Sequence, residues 1–337
     1  MDQRLPAGGL SLLAGKPKAG KSTLTRCLAF AVGGGEAWLG FKTNRGLVFY
    51  LALEEKRSEV RAHFRAMGAT PEDSIKVFIA PSPQNGLAQL REATERERPA
   101  LVIVDPLIKL VRVRDANDYA VVSQALEPLL TLARETGAHV LAVHHLGKGE
   151  RSGGDAILGS TAIFAAVDTA LILKRSEKYR TLSSIQRYGD DLEEITLTLD
   201  PETRLVSAGP ARKDADEGET ARAILDYLGA QSDPVAEQAI HDAVEAKRAV
   251  KLRALRRLVA AGQVTRTGTG KRGDSYRYSV SGTQVPAYIW VPENRKRKTK
   301  LSADEAETYS GTRENGDFDE SSKTRVLETD PLSEVDL

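Results

Sequence analysis

One short segment near the start of the chain constrains the fold more than any other. Residues 15–22 read GKPKAGKS, which fits the pattern G-x-x-x-x-G-K-S. The apolar run Gly9 to Ala14 predicts a strand before it, and the amphipathic run Lys21 to Val32 predicts a helix after it. In this context, glycine-rich backbone N–H groups surround a nucleotide phosphate at the start of a helix. The segment therefore predicts a nucleotide-binding α/β fold.

Two side chains of this loop have expected roles of their own. Lys21 would reach the β- and γ-phosphates of ATP, and the Ser22 hydroxyl would be a ligand of Mg²⁺. The alternative is a glycine-rich turn that is rich in lysine without a ligand. The predicted nucleotide contacts are Gly15, Lys16, Pro17, Lys18, Ala19, Gly20, Lys21, Ser22 and Thr23.

Short apolar runs continue to alternate with amphipathic stretches along the first half of the chain. The predicted strands are Leu47–Leu53, Val77–Ala80, Leu101–Asp105 and His139–His144, and the predicted helices are Glu59–Met67, Leu87–Arg98, Tyr119–Glu135 and Ser160–Val167. This alternation predicts a mostly parallel sheet with helices on both faces. Three further strands without helices between them predict an antiparallel edge: Thr169–Lys174, Thr181–Gln186 and Glu194–Leu199.

Acidic residues stand where two of these strands end. Asp105 ends the run LVIVD and is predicted to orient Mg²⁺ through water, or else it caps the turn before Pro106. Glu54 and Glu55 follow LVFYLAL. We predict that Glu54 activates the attacking water and that Glu55 points to solvent. Which of the two is the catalytic residue stays open at this point. The alternative is that both are solvated charges at the start of a helix, where acids are favoured.

Another strand ends in His144 and His145. A polar side chain at this point can hydrogen-bond the γ-phosphate, and His145 is the candidate. The alternative is a pair of strand-end histidines without a function.

Charge divides a chain of net charge +1 into three parts. Residues 1–218 hold 29 basic and 28 acidic residues, residues 219–300 hold 16 and 8, and residues 301–337 hold 3 and 11. We predict an α/β domain at 1–208, a linker at 209–218, a winged-helix module at 219–283, and a basic run with an acidic disordered tail at 284–337. The acidic tail would bind a replication partner, compete with DNA for the basic module, or only solubilise the chain.

The basic module has three predicted helices, Thr220–Leu228, Val235–Ala246 and Leu252–Ala261, and a hairpin around residues 267–275. A basic third helix and a basic hairpin tip favour duplex DNA, with the helix in the major groove. The alternatives are protein contact or a solvated basic face. The candidate DNA contacts are Arg253, Arg256, Arg257, Lys271 and Arg272.

Several classes of protein are excluded by composition. No apolar run reaches the length of a membrane span, and the N-terminus does not read as a signal peptide. Cys27 is the one cysteine, so a disulfide within the chain or a cysteine-built zinc site is excluded. The expected location is the cytoplasm.

Residues 5–205 resemble the RecA-like ATPases and, more narrowly, the RepA-type hexameric replicative helicases of plasmids and phages. The resemblance depends on GKPKAGKST, LALEE, LVIVDPL, VHHLGKG and GSTAIFAAVDTALIL. It implies ATP hydrolysis between the subunits of a homo-oligomeric ring, coupled to movement of single-stranded DNA through the channel.

The same resemblance implies a basic finger that reaches the γ-phosphate of the neighbouring subunit. Arg187 in the segment QRYG is the candidate and Arg180 the reserve, although Ile185 stands where related helicases usually carry lysine. The glycine-rich loop 147–159 would face the channel, with Lys148 and Arg151 on the DNA backbone. A recombination or repair ATPase of the RecA/RadA sort, and a DNA-binding regulator switched by ATP, remain alternatives.

Overall fold

The computed structural model describes residues 4–79, 82, 84–111, 119–145, 167–282 and 334–335. The channel-loop candidates Lys148 and Arg151, the predicted helix at 160–167 except Val167, and nearly all of the tail lie outside these ranges.

A ten-stranded sheet forms the body of the protein. Its strands in chain order are β1 (Leu10–Gly15), β2 (Val48–Ala52), β3 (Ile75–Phe78), β4 (Leu101–Asp105), β5 (His139–His145), β6 (Thr169–Arg175), β7 (Arg180–Gln186), β8 (Ile195–Leu199), β9 (Val206–Ala211) and, paired to β3, β13 (Glu334–Val335). Across the sheet the order is β13-β3-β2-β4-β5-β1-β6-β7-β8-β9. The strands from β3 to β6 in this order are parallel, and the pairs β6–β7, β7–β8, β8–β9 and β13–β3 are antiparallel. The mostly parallel α/β sheet and its antiparallel edge are confirmed.

Five helices of the described chain cover the two faces of this sheet. They are α1 (Lys21–Gly34), α2 (Arg57–Ala66), α3 (Gly86–Glu97), α4 (Leu107–Val111) and α5 (Tyr119–Thr136). Because side chains alternate along a strand, each strand contributes residues to the two hydrophobic cores, one on each face of the sheet. In β1, Leu13 packs into the core that contains Leu28 of α1, whereas Leu12 packs into the core that contains Leu129 of α5.

The remaining described residues build a smaller unit with its own core. Its elements are α6 (Arg212–Gly229), β10 (Val235–Ala236), α7 (Glu237–Ala243), α8 (Arg248–Ala260), β11 (Val264–Thr267) and β12 (Arg277–Val280). The three strands form an antiparallel sheet in the order β10-β12-β11. Ile224, Leu255 and Tyr278 bring helix and sheet together in the buried core of this unit.

The predicted linker at 209–218 is wrong. Strand β9 ends at Ala211, and α6 begins at Arg212 without an irregular segment between them. The run is polar and charged, but Lys, Glu, Arg and Ala are good helix formers. A helix whose first buried side chain is Thr220 needs little apolar sequence at its start. Salt bridges also hold its first residues to the sheet: Lys213 Nζ is 2.8 Å from Glu193 Oε1.

The prediction of a wholly disordered tail does not hold for residues 334–335, which form β13. Val335 pairs with Val77 of β3. A short segment that contains an aliphatic residue can add to a sheet edge, because an edge strand offers unpaired backbone N–H and C=O groups. Among the described residues, no helix combines the length and the apolarity that crossing a bilayer requires.

Candidate nucleotide site at the carboxyl edge of the sheet

The loop between β1 and α1 has the backbone that phosphate binding requires. Gly20 has a φ of 105° and is the N-cap of α1, a conformation that glycine adopts without strain. No acidic residue lies in the first turn of α1, so the partial positive charge of the helix N-terminus is not offset there. Gly15 is also required for its size, because a Cβ would lie 2.6 Å from the carbonyl oxygen of Leu173. The loop is therefore ready to receive an anion.

Lys21 is fixed across this loop before any phosphate is bound. Its side chain is buried, and Nζ donates to the carbonyl oxygens of Gly15 at 2.8 Å and Lys16 at 3.0 Å. Burial lowers the pKa of Lys21, and the nearby carboxylate of Asp105 opposes this shift. The ammonium thus has carbonyl partners that a bound phosphate can replace. The side chains of Lys16, Pro17 and Lys18 are exposed.

Asp105 lies buried at the end of β4, beside the start of α1. The Tyr50 hydroxyl donates to its Oδ2 at 3.2 Å. Burial raises the pKa of Asp105, while hydrogen bonds from Ser22 and Tyr50 and the charge of Arg26 lower it. A buried carboxylate next to a serine hydroxyl is a fitting oxygen donor set for Mg²⁺, whose charge would favour the ionised form.

Glu54 and Glu55 point in different directions. Glu54 is exposed, and its Oε1 lies 3.3 Å from Nζ of Lys109 on α4. Glu55 was expected to point to solvent, and this expectation is wrong. Its carboxylate is partly buried and forms an ion pair with Arg26, whose side chain is 2% exposed. Arg26 cannot be buried with its charge unpaired, and this requirement turns Glu55 inward.

The two histidines at the end of β5 lie beside the loop. In the register of β1 and β5, Ala14 is opposite His144 and Gly15 is opposite His145. His144 is buried, and this burial, with the charges of His145 and Lys21, lowers its pKa to about 4. His145 is exposed toward the site, and burial of part of its ring together with Lys21 lowers its pKa.

The carboxylates of Glu54 and Asp105 act on His145 in the opposite direction. Lys21, Glu54 and Asp105 therefore all lie close enough to His145 to act on its pKa. The sheet brings them together because β1, β2, β4 and β5 are parallel neighbours, so their carboxyl ends share an edge.

The two finger candidates lie at opposite ends of β7. Arg187 is exposed just beyond β7, and its backbone N–H donates to the carbonyl oxygen of Asp168 at 2.8 Å, next to the start of β6. This is the edge away from the chain's own phosphate loop. Arg180 instead touches that loop, because its Nε donates to the Ala19 carbonyl at 3.0 Å. A role toward a neighbouring subunit thus remains a prediction for Arg187, and Arg180 is bound within its own chain.

The predicted DNA contacts of the smaller unit differ in what surrounds them. Lys271 and Arg272 are exposed at the tip between β11 and β12, and Arg256 is exposed on α8. Arg253 and Arg257 are not free, because they lie 3.3 Å and 3.6 Å from the carboxylate oxygens of Glu217 on α6. Their charge is already partly neutralised by the protein itself.

Sequence reasoning missed three side chains that contact the site. Tyr50 lies within the apolar run LVFYLAL and donates to Asp105. Its hydroxyl is the one polar side-chain group of that run, and this could have indicated a role in the site. Lys109 follows Asp105 by four residues and would have been found only by placing α4 beside β2. Arg26 stands in an otherwise apolar stretch of α1, and a charged residue in such a stretch is itself a signal.

Comparison with known proteins supports the nucleotide site. Residues 1–151 match the family described as AAA domain. A search of the curated proteins finds no match. A KaiC-like protein from the hyperthermophilic archaeon Pyrococcus horikoshii is similar at 14% identity, over 61% of this chain and 91% of that chain, with a TM-score of 0.46, and this likeness carries no inference about activity. The family match contains the phosphate loop and the ends of β2, β4 and β5, and it supports a RecA-like P-loop ATPase.

Proposed function

We propose that this chain is an ATP-driven DNA helicase or translocase that works as a homo-oligomeric, six-membered ring in the replication of a plasmid, phage or other mobile element. The observation that supports ATP hydrolysis most directly is the convergence of Lys21, Ser22, Asp105, Glu54 and His145 at one sheet edge. The DNA role is supported by the resemblance to RepA-type helicases and by the basic C-terminal unit.

Each residue of this edge has one task in the proposed reaction. Lys21 leaves its loop carbonyls to bind the β- and γ-phosphates, and Ser22 and, through water, Asp105 would hold Mg²⁺. When bound, Mg²⁺ neutralises charge on the phosphate oxygens. Glu54 orients the attacking water and accepts its proton, and His145 hydrogen-bonds the γ-phosphate. Glu54 must leave Lys109 to do so, and an exposed ion pair is weak enough to exchange.

We further propose that residues 212–282 form a winged helix that binds duplex DNA. The order of helix, strand, two helices and a hairpin supports this, with α8 as the helix that enters the major groove. Phosphate contacts would come from Lys271 and Arg272 at the hairpin tip, which have no counter-ion among the ion pairs of the described residues.

ATPase assays with and without single-stranded DNA, together with unwinding of a forked duplex, test the proposal. We expect stimulation by DNA and unwinding that requires ATP. Equal hydrolysis with and without DNA, with no unwinding, would overturn it. Arg187→Ala should stop hydrolysis and keep ATP binding, since the residue acts on a neighbouring subunit, whereas normal turnover would remove Arg187 from the site.

An ATP-switched DNA-binding regulator is the second candidate, and the exposed basic hairpin favours it. Footprinting on a defined duplex separates the two candidates. Protection of one site without unwinding supports the regulator. Electron microscopy also separates the helicase from a recombination ATPase, since closed rings favour the first and helical filaments the second.

A further inference from the structure

Arg26 is the largest of the fully buried side chains in the described part of the protein, with 1% of its surface exposed. A guanidinium keeps its charge inside a protein, so it must be neutralised and its N–H groups must find acceptors. Arg26 has two such partners. One terminal nitrogen donates to the Glu55 carboxylate, and the other donates to Nδ1 of His63.

This buried cluster joins three pieces of the nucleotide site. Arg26 lies four residues after Ser22 on α1, so both share a face of that helix. Glu55 follows Glu54 directly after β2, and His63 lies on α2. The cluster therefore connects the helix that binds phosphate to the segment that carries the water-activating glutamate.

Glu54 itself has little that could fix its position. Its partner Lys109 is 51% exposed and Glu54 is 43% exposed, and such surface pairs contribute about 1 kcal/mol or less. A general base must nevertheless lie within hydrogen-bond distance of the water that it activates. The rigid contact of this segment is made by the next residue, Glu55.

We propose that Arg26 is a positioning residue for ATP hydrolysis, which holds Glu55 and so fixes the backbone from which Glu54 reaches the γ-phosphate. This inference rests on the proposed role of Glu54. Because Arg26 and Lys21 lie on the same helix, the phosphate and the water-activating carboxylate are held at a fixed distance from each other. His63 is the second, neutral acceptor of Arg26, since burial and the charges of Arg26 and Arg204 lower its pKa.

The test compares Arg26→Met and Glu55→Gln with the wild-type chain. Steady-state kcat for phosphate release and the Kd of a fluorescent ATP analogue are measured separately. We expect kcat to fall by about 100-fold in both variants, because a displacement of about 1 Å is enough for such a loss, with Kd unchanged. Arg91→Met is the matched control, because Arg91 likewise has two side-chain partners, Glu95 and Glu135, but on the surface of α3, and it should keep both values.

A second measurement separates positioning from a merely structural role. In a Glu54→Gln background, Arg26→Met should lower kcat no further, because the residue that it positions is already absent. Arg26→Lys should recover part of kcat, since an ammonium can keep the pair with Glu55 but not the fork that also reaches His63. If Arg26→Met does not fold, Glu55→Gln carries the same test, because it removes the ion pair that fixes the segment while its amide oxygen still offers Arg26 an acceptor, so the fold is kept.

Other outcomes would overturn the inference. A loss of ATP-analogue binding equal to the loss of kcat, or an additional loss in the Glu54→Gln background, would leave Arg26 a structural residue. An unchanged kcat in both single variants would also refute it. A wild-type chain without ATPase activity, or full activity in Glu54→Gln alone, would instead refute the proposed function.

Discussion

The nucleotide edge of the sheet and the basic C-terminal unit both carry charge, but they carry it differently. At the nucleotide edge Lys21, Arg26 and Asp105 are buried and hydrogen-bonded. In the C-terminal unit most charges are exposed, as at Lys271 and Arg272, and the buried Lys251 is an exception that donates to the carbonyls of His241 and Val244. A buried charge needs a defined set of partners, so it fixes geometry. An exposed charge contributes through a salt-dependent field and needs no fixed geometry.

This difference predicts large, specific losses at the nucleotide edge and small, additive losses in the C-terminal unit. The following substitutions test the contrast in order of expected effect.

Lys21→Ala should have the largest effect. It removes the one ammonium that is held across the phosphate loop, and we expect hydrolysis to fall by about 10³-fold or more, measured as phosphate release. Lys42→Ala is the control, since Lys42 is exposed. Equal turnover by both variants would show that the buried Lys21 matters no more to hydrolysis than an exposed lysine does.

Glu54→Gln should lower kcat by about 10²- to 10⁴-fold while nucleotide binding persists, because a general base is lost and the phosphate contacts are kept. Single-turnover hydrolysis and analogue binding measure the two effects. Glu92→Gln, at an exposed position on α3, should be neutral. If Glu54→Gln weakens binding without slowing the bound complex, Glu54 is not the base.

Acid should destabilise the body more than the C-terminal unit. Burial lowers the pKa of His139 and His144 to about 4, so the unfolded chain takes up protons on these rings before the folded chain does. Stability is therefore full above pH 6.5 and is lost as the pH falls toward about 4, by about 3 kcal/mol for each ring at most. Urea unfolding at pH 7 and pH 5 measures this loss, and His139→Gln should reduce it. The same pH dependence in that variant would contradict the assignment.

Tyr50→Phe should have a moderate effect. It leaves the buried Asp105 without one of its donors, at about 1 kcal/mol of unfolding free energy. Thermal and urea unfolding measure this effect. The hydroxyl has no such role if stability equals that of the wild type.

The smallest effects are expected at the surface that we propose for DNA binding. Lys271→Ala should weaken duplex binding and reduce the slope of log K against log salt by about 1, for all sequences alike. Arg257→Ala should do less, because Glu217 already offsets that charge. Titrations at several salt concentrations compare the two variants. Equal slopes would show that the ion pair with Glu217 opens on DNA.

Sequence reasoning reached the nucleotide edge because its signals are local. A loop of eight residues, and polar residues that end apolar runs, predict positions that a parallel sheet then brings to one edge. Tyr50, Arg26 and Lys109 were missed because their roles depend on which element packs against which. The inward turn of Glu55 has the same origin, since it follows from a buried partner 29 residues away in the sequence.

The boundary at residue 208 was wrong for a different physical reason. A charged composition is typical of an irregular chain, but α6 is stabilised by its buried residues Thr220, Ile224 and Leu228 and by ion pairs of its first residues, Arg212 and Lys213. Composition alone does not distinguish such a helix from a linker, because both are polar on most of their surface.

The direct passage from β9 into α6 has a mechanical consequence. An 18-residue helix is about 27 Å long, and α6 joins the sheet without a flexible hinge. Lys178, which follows β6, also reaches it at Glu219. A rotation of the sheet edge by about 5° would therefore move the far end of α6 by about 2 Å. Because α6 is joined directly to the sheet, a small rotation of the sheet edge would become a displacement of the smaller unit that is large enough to break or form a hydrogen bond.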